Sequence, residues 1–149
     1  MTNARNTVVC LLVVVASACG EREIRPVELY AEDECSQCRM SISDRSFASE
    51  IIADDGSVYK FDDFGCFENF RKGHAELRMT AAFVVDFDSK EWIDYRQSTV
   101  VETGITTPMG SGKVAFRDSV RAAAFVKENP AMNDSGASTG CSCCSDEGA

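Results

Sequence analysis

The sequence predicts an α+β fold in which two small, similar β-β-α-β units form one compact body. The chain has 149 residues, 44% of them hydrophobic and 26% charged, which suits one globular domain. Each half has β-prone runs before a helix, and each helix follows a Phe-x-Asp run, at 61–63 and at 116–118. Phe-x-Asp is also a common capping context, so an accidental likeness of the two halves is the alternative.

The first unit covers about residues 26–80. Its predicted extended segment, loop and two strands occupy residues 26–30, 31–38, 47–52 and 58–61. Asp54-Asp55-Gly56 is a strong turn signal between the two strands. The two aspartates at 62–63 are good N-caps for a helix that places three phenylalanines on one broad face and ends at Gly73.

The second unit covers about residues 81–129. Its predicted strands occupy residues 83–87, 91–95, 99–102 and 114–116, with a loop at 106–113 before the last of them. Asp118 is the expected N-cap of a helix over 119–127, which Asn129-Pro130 ends.

Residues 1–18 have the pattern of a lipoprotein signal peptide. Arg5 precedes an apolar run at 8–15 that is too short to span a bilayer, and small residues then lead to Cys19. We expect cleavage before Cys19, a lipid on its sulfur, and a charged tether over 19–25. Ordinary signal-peptidase cleavage that releases a soluble protein is the alternative. Both place the mature protein in the bacterial cell envelope, facing the periplasm or the outer surface.

The charge pattern argues against nucleic acid as a partner, and no catalytic constellation is visible. The formal net charge is −9 and Lys and Arg are not clustered, so phosphate groups have no basic patch to bind. With one histidine, His74, general acid–base chemistry has no recognisable set of residues. The Gly-Ser-Gly-Lys run at 110–113 is not a phosphate loop, because position 107 is Thr and Val114 follows the lysine. We therefore expect a protein that is not an enzyme.

Cys35, Cys38 and Met40 form the first candidate metal site. Two thiols and a thioether are soft donors, which favour Cu(I). A structural zinc site would need two further Cys or His ligands, and the globular part has no second Cys-x-x-Cys. A thioredoxin-like protein would have a strand before its Cys-x-x-Cys motif, and no strand is predicted there. An inert disulfide between the two cysteines remains an alternative on the motif alone.

Two further residues have both a structural and a chemical interpretation. Met109 lies between Pro108 and Gly110 on a loop, where it could fill a gap in the core or bind a metal; composition alone favours the core. Cys66 falls in the first turns of a helix, where it could be a small buried side chain or a reactive donor.

Residues 130–149 form a tail with its own cysteine cluster. A stretch rich in Asn, Ser, Gly and Thr, typical of a flexible linker, leads to Cys141, Cys143 and Cys144 and an acidic end. We interpret the cluster as an auxiliary metal-capture arm. Oxidation of these thiols to disulfides, among themselves or with Cys35, Cys38 or Cys66, is the alternative.

The order of these motifs resembles the NosL family over about residues 26–129. The resemblance is carried by Cys-x-x-Cys-x-Met at 35–40, Phe-Asp-Asp at 61–63 with Cys66 downstream, Trp-Ile-Asp at 92–94 and Pro-Met-Gly-x-Gly at 108–112. Phe-Ala at 47–48 and Ala-Phe at 115–116 also match. The family pattern usually has Gly where this chain has Arg39, and the tail cysteines are not part of it.

The resemblance implies a copper-binding lipoprotein that serves nitrous oxide reductase together with its copper-loading membrane machinery. It implies two β-β-α-β units, and it points to Met109 and to the segment of Cys38 and Met40 as Cu(I) donors. Relatives of this fold could also serve other copper enzymes of the envelope. A thiol-disulfide oxidoreductase that uses Cys35 and Cys38, and a purely structural lipoprotein, are the other functions to be separated from copper delivery.

Overall fold

The computed structural model describes residues 23–30 and 32–131. Two helices, six strands and two 3-10 turns follow in the order η1 (Arg45–Phe47), β1 (Ser49–Ala53), β2 (Val58–Phe61), α1 (Phe64–Gly73), β3 (Met79–Val85), β4 (Trp92–Asp94), η2 (Tyr95–Gln97), β5 (Thr99–Glu102), β6 (Lys113–Phe116) and α2 (Ser119–Glu128). The predicted signal peptide, lipid attachment at Cys19 and tail thiols lie outside the described residues.

The strands form two antiparallel sheets. The larger sheet has the order β2-β1-β3-β4, and the smaller one pairs β5 with β6. A parallel bridge between Asp86 and Ala115 links them. Helix α1 packs its buried phenylalanines against β1 and β2, while α2 closes a second cluster around Phe116 and Phe125. The α+β class is therefore confirmed.

The two halves share a hairpin register. In β1 and β2, Ser49 lies opposite Phe61, and in β5 and β6, Thr99 lies opposite Phe116. Each Phe is followed two residues later by an aspartate that caps the next helix. After α1 the chain forms β3, which completes a β-β-α-β order. The second half differs from the predicted β-β-α-β order, because no strand follows α2 in the described residues. Strand β4, which the sequence assigns to the second unit, pairs with β3 in the larger sheet.

Two predicted strands are displaced because side-chain carboxylates bind backbone amides beside them. The strand expected at 47–52 begins at Ser49, because the Asp44 side chain accepts from the Ser46 amide and holds residues 45–47 in a 3-10 turn. The strand expected at 83–87 runs from Met79 to Val85. It ends there because the Asp86 carboxylate accepts hydrogen bonds from the backbone amides of two other segments, at Ser89 and Arg117.

The N-terminal segment is held to the sheet by a buried acid. Glu50 in β1 has no exposed surface; its Oε1 accepts from the Val27 amide at 2.9 Å, and its Oε2 has no partner among the described residues. Burial raises the pKa of Glu50 to about 7, because the charged form loses its hydration. In the described part of the chain no helix is long and apolar enough to cross a membrane.

Candidate metal centre

Three thiols and one carboxylate converge where the first loop, β2 and α1 meet. Cys35 and Cys38 come from the loop before η1, Asp62 directly follows β2, and Cys66 lies in the first turn of α1. Their sulfur atoms and one carboxylate oxygen all lie within 4.8 Å of one another. Among the described residues the three cysteines are free thiols, so they are available as metal donors.

The loop that carries two of these thiols is tightly folded. The Cys35 amide donates to the Met40 carbonyl at 2.8 Å, and the Arg39 amide donates back to the Cys35 carbonyl at 2.9 Å. The Ser36 amide donates to the Lys60 carbonyl, which fixes the loop to β2. Arg39 has a φ of 66°, in the left-handed region that favours glycine. The Gly expected there from the family pattern would take this conformation without strain.

Burial keeps two of the three thiols protonated. Cys35 has no exposed surface and Cys66 is 4% exposed. Loss of hydration raises the pKa of both thiols, and the nearby acidic groups Cys35 and Asp62 raise that of Cys66 further. The half-buried Cys38 thiol donates to both oxygens of Asp62 at 3.6 Å. An entering metal ion therefore has to displace protons from this cluster.

Asp63 fastens the Met109 turn to the start of α1. One carboxylate oxygen accepts from the Gly65 amide at 2.6 Å, as an N-cap. The other accepts from the Thr107 hydroxyl at 2.5 Å and from the Met109 amide at 3.0 Å. Burial alone would raise the pKa of Asp63, but these hydrogen bonds and one from Ser111 outweigh it and lower the pKa.

The approach of the turn to the helix depends on a glycine. A Cβ atom on Gly65 would lie 2.8 Å from the Ser111 Cβ, closer than two carbon atoms can pack. Pro108 suits the second position of the turn that the Gly110 amide closes on the Thr107 carbonyl. These contacts fix where the Met109 side chain is presented.

A cavity of about 360 Å³ opens from the thiol cluster to the surface. Its lining consists of uncharged residues: Gln37, Cys38, Gly65, Cys66, Asn69, Met109 and Ser111. Met109 is 44% exposed, so its thioether is accessible to an incoming partner as well as to a metal ion in the cavity. Met40 is 55% exposed and is not part of this lining, although its backbone carbonyl holds Cys35 in place.

Asp62 is a cluster member that the sequence does not indicate. Both aspartates at 62–63 are candidate caps in the sequence, but in the structure Asp63 alone caps α1 and Asp62 lies beside the thiols. The sequence signal was a second acid four residues before Cys66, a spacing that places both side chains near one helix start. With Cys66 and Asp62 included, the site has the four donors that zinc requires, so the earlier objection to zinc no longer holds.

The cluster is close to the size that binds one ion. Its donor atoms lie at most 4.8 Å apart, so a point central to the three sulfur atoms lies at most roughly 2.8 Å from each, while a zinc–thiolate bond is about 2.3 Å. A contraction of at most about half an ångström would therefore bring three sulfur atoms into bonding range. Thiolates with a thioether beside them are the donor set that selects Cu(I) over harder ions.

The molecule thus combines an α+β fold with a thiol cluster that could hold a metal ion and that a cavity connects to solvent. The chain belongs to the NosL family, whose profile matches residues 26–131. Its fold is similar to the crystal structure of the copper chaperone NosL from Shewanella denitrificans, with a TM-score of 0.62 and 20% identity over 70% of this chain and 87% of that one. At this identity the likeness shows the fold. No match is found among curated proteins.

Proposed function

We propose that this protein is a Cu(I) metallochaperone of the bacterial cell envelope rather than an enzyme. The observation that carries the proposal is the convergence of Cys35, Cys38 and Cys66 beneath a cavity that Met109 lines. Soft sulfur donors bind Cu(I) strongly. Membership of the NosL family and the likeness to a copper chaperone support the same metal.

The arrangement suits transfer better than storage. Cys35 lies outside the cavity lining and has no exposed surface, and Cys66 lines the cavity but is only 4% exposed, whereas Cys38 and Met109 are the more accessible donors that line it. An acceptor thiolate or thioether can enter the cavity and replace the outer donors one at a time, so that copper is passed on by ligand exchange without change of oxidation state. The uncharged lining lets such a soft ligand approach without a charge to displace.

We further propose that the protein is anchored by a lipid on Cys19 and delivers copper to nitrous oxide reductase through that enzyme's membrane-bound loading machinery. The signal-like residues 1–18 support the anchor, and family membership supports the client. Cys19→Ala is expected to release the protein from membranes. Membrane association that persists in this variant would contradict the anchor.

Anaerobic titration with Cu(I) against a chromophoric chelator tests the metal proposal. The protein tested starts at residue 20 and carries Cys141→Ser, Cys143→Ser and Cys144→Ser, so that it lacks Cys19 and the tail thiols and retains every described residue. Replacing Cys35, Cys38 and Cys66 together by Ser is expected to abolish tight binding. Equal binding by the wild type and this triple variant would overturn the proposal, and tighter binding of Zn(II) than of Cu(I) under the same conditions would reassign the metal.

Methionine variants show which thioether takes part. Met109→Ala is expected to weaken Cu(I) binding at least tenfold, because the remaining donors cannot close the coordination sphere. Met79→Ala is the matched control, since Met79 is similarly exposed and does not line the cavity. Met40→Ala is also expected to weaken binding; an unchanged affinity would remove Met40 from the donors. If Met109→Ala lowers the thermal stability but not the Cu(I) affinity, Met109 is a packing residue.

The closeness of Cys35 and Cys38 also favours a second candidate, a thiol-disulfide oxidoreductase. The burial of Cys35 and the raised pKa of its thiol oppose it, since exchange requires an accessible thiolate. Alkylation followed by mass spectrometry separates the candidates. A chaperone shows thiols that copper protects, an oxidoreductase shows a disulfide formed and reduced with a test substrate, and a structural lipoprotein shows an inert disulfide.

A further inference from the structure

The outer edge of strand β5 has backbone groups without a backbone partner among the described residues. Directly after β5, the Thr103 amide donates to the Gly112 carbonyl at 2.8 Å, so these two residues form a hydrogen-bonded pair. Bonded and non-bonded pairs alternate along an antiparallel ladder. The amide and carbonyl of Val101 therefore bond to β6, whereas those of Val100 and Glu102 point away from it. No described backbone group donates to or accepts from these outward groups.

Two other sheet edges are covered by neighbouring segments. At β2 the Ser36 amide donates to the Lys60 carbonyl at 2.8 Å, so the loop that carries Cys35 lies against that edge. At β6 the Phe87 amide donates to the Ala115 carbonyl at 2.8 Å, on the side away from β5. Proteins cover such edges because unpaired strand groups bind other chains. The open edge of β5 is therefore suited to binding an extended segment.

A cavity of about 650 Å³, which we call the β5 groove, lies beside this edge. Val100, Val101 and Glu102 all line it, although successive side chains of a strand point to opposite faces, so the groove includes the strand edge between them. Phe64 and Tyr95 also line it and pack in the main core. A segment that paired with β5 would place every second side chain against this aromatic surface.

The charges at the groove favour a basic residue in the bound segment. Lys113 pairs with Glu68 at 2.5 Å, and Arg96 pairs with Asp94 at 2.7 Å. Glu102 is exposed and forms no ion pair with any described residue. A Lys or Arg beside Glu102 in an added strand would form a favourable cross-strand pair. An acidic segment would be repelled by the same carboxylate.

The β5 groove adjoins the cavity above the thiol cluster. At residues 64–65, 68–69 and 111–113, one residue lines the groove and another lines the thiol-cluster cavity. Strand β5 continues after Glu102 into the loop that carries Met109. A segment that pairs with β5 and continues past Glu102 therefore runs towards the accessible thioether of Met109.

We propose that the open edge of β5 binds an extended segment of the copper-accepting protein, by addition of a strand to the sheet of β5 and β6. The assignment to the acceptor rests on the proposed function. The segment pairs its backbone with Val100 and Glu102, places apolar side chains on Phe64 and Tyr95, and carries a Lys or Arg beside Glu102. Docking here holds the acceptor's sulfur donors near Met109, so one copper–sulfur bond breaks as another forms and copper remains Cu(I).

Amide hydrogen exchange tests the edge in the protein used for the Cu(I) titration, kept free of copper. In the free protein the Val101 amide should exchange slowly, because it bonds to β6, and the Val100 and Glu102 amides should exchange fast. Slow exchange of the latter two would show that the edge is already occupied and would overturn the proposal.

The probe is the capped peptide Thr-Val-Thr-Val-Thr-Lys-Gly-Met-Gly-Met, followed by NMR at millimolar concentration. Its valines and lysine share one face of a strand, and its methionines can accept Cu(I). We expect it to slow the exchange of the Val100 and Glu102 amides and to shift their signals. The same peptide N-methylated at every threonine and valine cannot pair with a strand and should do neither. Equal effects of the two peptides would overturn the proposal.

Glu102→Pro tests the backbone contact, because it removes an outward amide without removing a bond to β6. It should bind the peptide roughly fivefold more weakly or worse, whereas Glu102→Gln, which keeps the amide, should lose only about twofold. Loaded wild type should pass Cu(I) to the peptide at least roughly fivefold faster than to its N-methylated form, and Glu102→Pro should abolish this difference. Equal peptide affinity of wild type and Glu102→Pro would contradict strand addition.

The two proposals fail differently. A protein that binds Cu(I) tightly but shows no peptide effect at β5 overturns the docking edge and leaves the chaperone proposal intact. Peptide binding without faster copper transfer overturns the assignment to the acceptor. Peptide binding by a protein without tight Cu(I) binding overturns the chaperone proposal and, with it, the acceptor. Dimers that Glu102→Pro abolishes would assign the edge to a second copy and would also overturn the inference.

Discussion

The two halves of the molecule use the same hairpin register and the same helix cap for different purposes. Asp62 and Cys66 lie one residue before and three residues after the Asp63 cap, and both belong to the thiol cluster. At the corresponding positions around the Asp118 cap, the second half has Arg117 and Arg121. The same positions beside the helix cap thus carry candidate metal donors in the first half and positively charged side chains in the second.

The arginines of the second half have structural partners. Arg117 pairs with Glu91 at 3.4 Å and Arg121 with Asp88 at 3.0 Å. The Arg121 guanidinium also lies over the Phe125 ring, 5.2 Å from its centroid. Two positions beside the cap therefore decide whether this turn is suited to a metal ion or repels it.

The caps themselves differ in what they hold. Asp118 is exposed and accepts only from the Val120 and Arg121 amides of its own helix. Asp63 is fully buried and also holds the Thr107 and Met109 turn. The first cap therefore also positions the Met109 turn, while the second serves only its helix.

Cys66→Ser is expected to have the largest effect on the comparison. Loss of one of three thiols should weaken Cu(I) binding at least a hundredfold, or about 2.7 kcal/mol. Arg121→Ser, at the corresponding position of α2, should leave the affinity unchanged. The measurement is the anaerobic chelator competition, and equal affinities of the two variants would remove Cys66 from the site.

Asp63→Asn should destabilise the protein more than Asp118→Asn. Asparagine keeps the cap but replaces one acceptor oxygen by an amino group that faces two donors, which costs about 2 kcal/mol of unfolding free energy. At Asp118 the same change should cost only a few tenths. Urea unfolding measures both. A loss of similar size at both positions would mean that the Met109 turn does not depend on Asp63.

The Cu(I) affinity of Asp63→Asn distinguishes a role in positioning Met109 from a general loss of stability. The substitution should reduce Cu(I) affinity in a chain with Met109 intact and should have little effect after Met109→Ala, since both changes remove the same donor. Additive losses in the double variant would contradict a positioning role for Asp63.

Glu50 distinguishes the first hairpin from the second, where Val100 has the same register position. Burial raises the pKa of Glu50 from its ordinary value of 4.5 to about 7. The favourable contribution of Glu50 to the free energy of unfolding is therefore fully present below pH 4.5 and is lost as the pH rises through about 7. Stability should therefore fall by about 2 kcal/mol between pH 5 and pH 8.

Glu50→Gln should remove this part of the pH dependence, because glutamine does not titrate. Urea unfolding at several pH values between 5 and 8 measures it. A slope that is the same in the wild type and in Glu50→Gln would show that Glu50 is ionised throughout this range.

The smallest expected effect concerns the two non-glycine residues with positive φ. Arg39, with a φ of 66°, lies in the loop that carries Cys35 and Cys38, and Lys90, with a φ of 62°, lies in the turn before β4. Arg39→Gly and Lys90→Gly should each stabilise the fold by at most about 1 kcal/mol, because glycine adopts this conformation without strain. Thermal unfolding checks this, and destabilisation by Arg39→Gly would show that its side chain contributes more than the strain costs.

Much of the fold could be predicted because its signals are local. The turn at 54–56 and the caps at Asp63 and Asp118 depend on neighbouring residues, so the hairpins and both helices were placed within a few residues. The strand end at Val85 is not predictable from neighbouring residues, because the Asp86 carboxylate accepts from the amide of the distant Arg117. The strand start at Ser49 depends on a local hydrogen bond of Asp44 to the Ser46 amide, which the β-prone pattern does not reveal.

The site could be predicted only in part. The soft residue types in the motifs indicated Cys35, Cys38 and Met109, but Asp62 becomes a neighbour of Cys38 only through the contact of the first loop with β2. Met40 stays a predicted donor. Its backbone carbonyl supports Cys35, and its exposed side chain lies outside the cavity lining.

X-ray absorption at the copper edge identifies the atoms that bind copper in the thiol cluster. The sample is the Cys141→Ser, Cys143→Ser, Cys144→Ser protein loaded with one equivalent of Cu(I), so that only the cluster of the first half can supply thiolates. We expect copper to be surrounded by sulfur atoms alone, with one sulfur fewer in Cys66→Ser and no change in Arg121→Ser. A shell dominated by nitrogen or oxygen, or one that Cys66→Ser leaves unchanged, would contradict it.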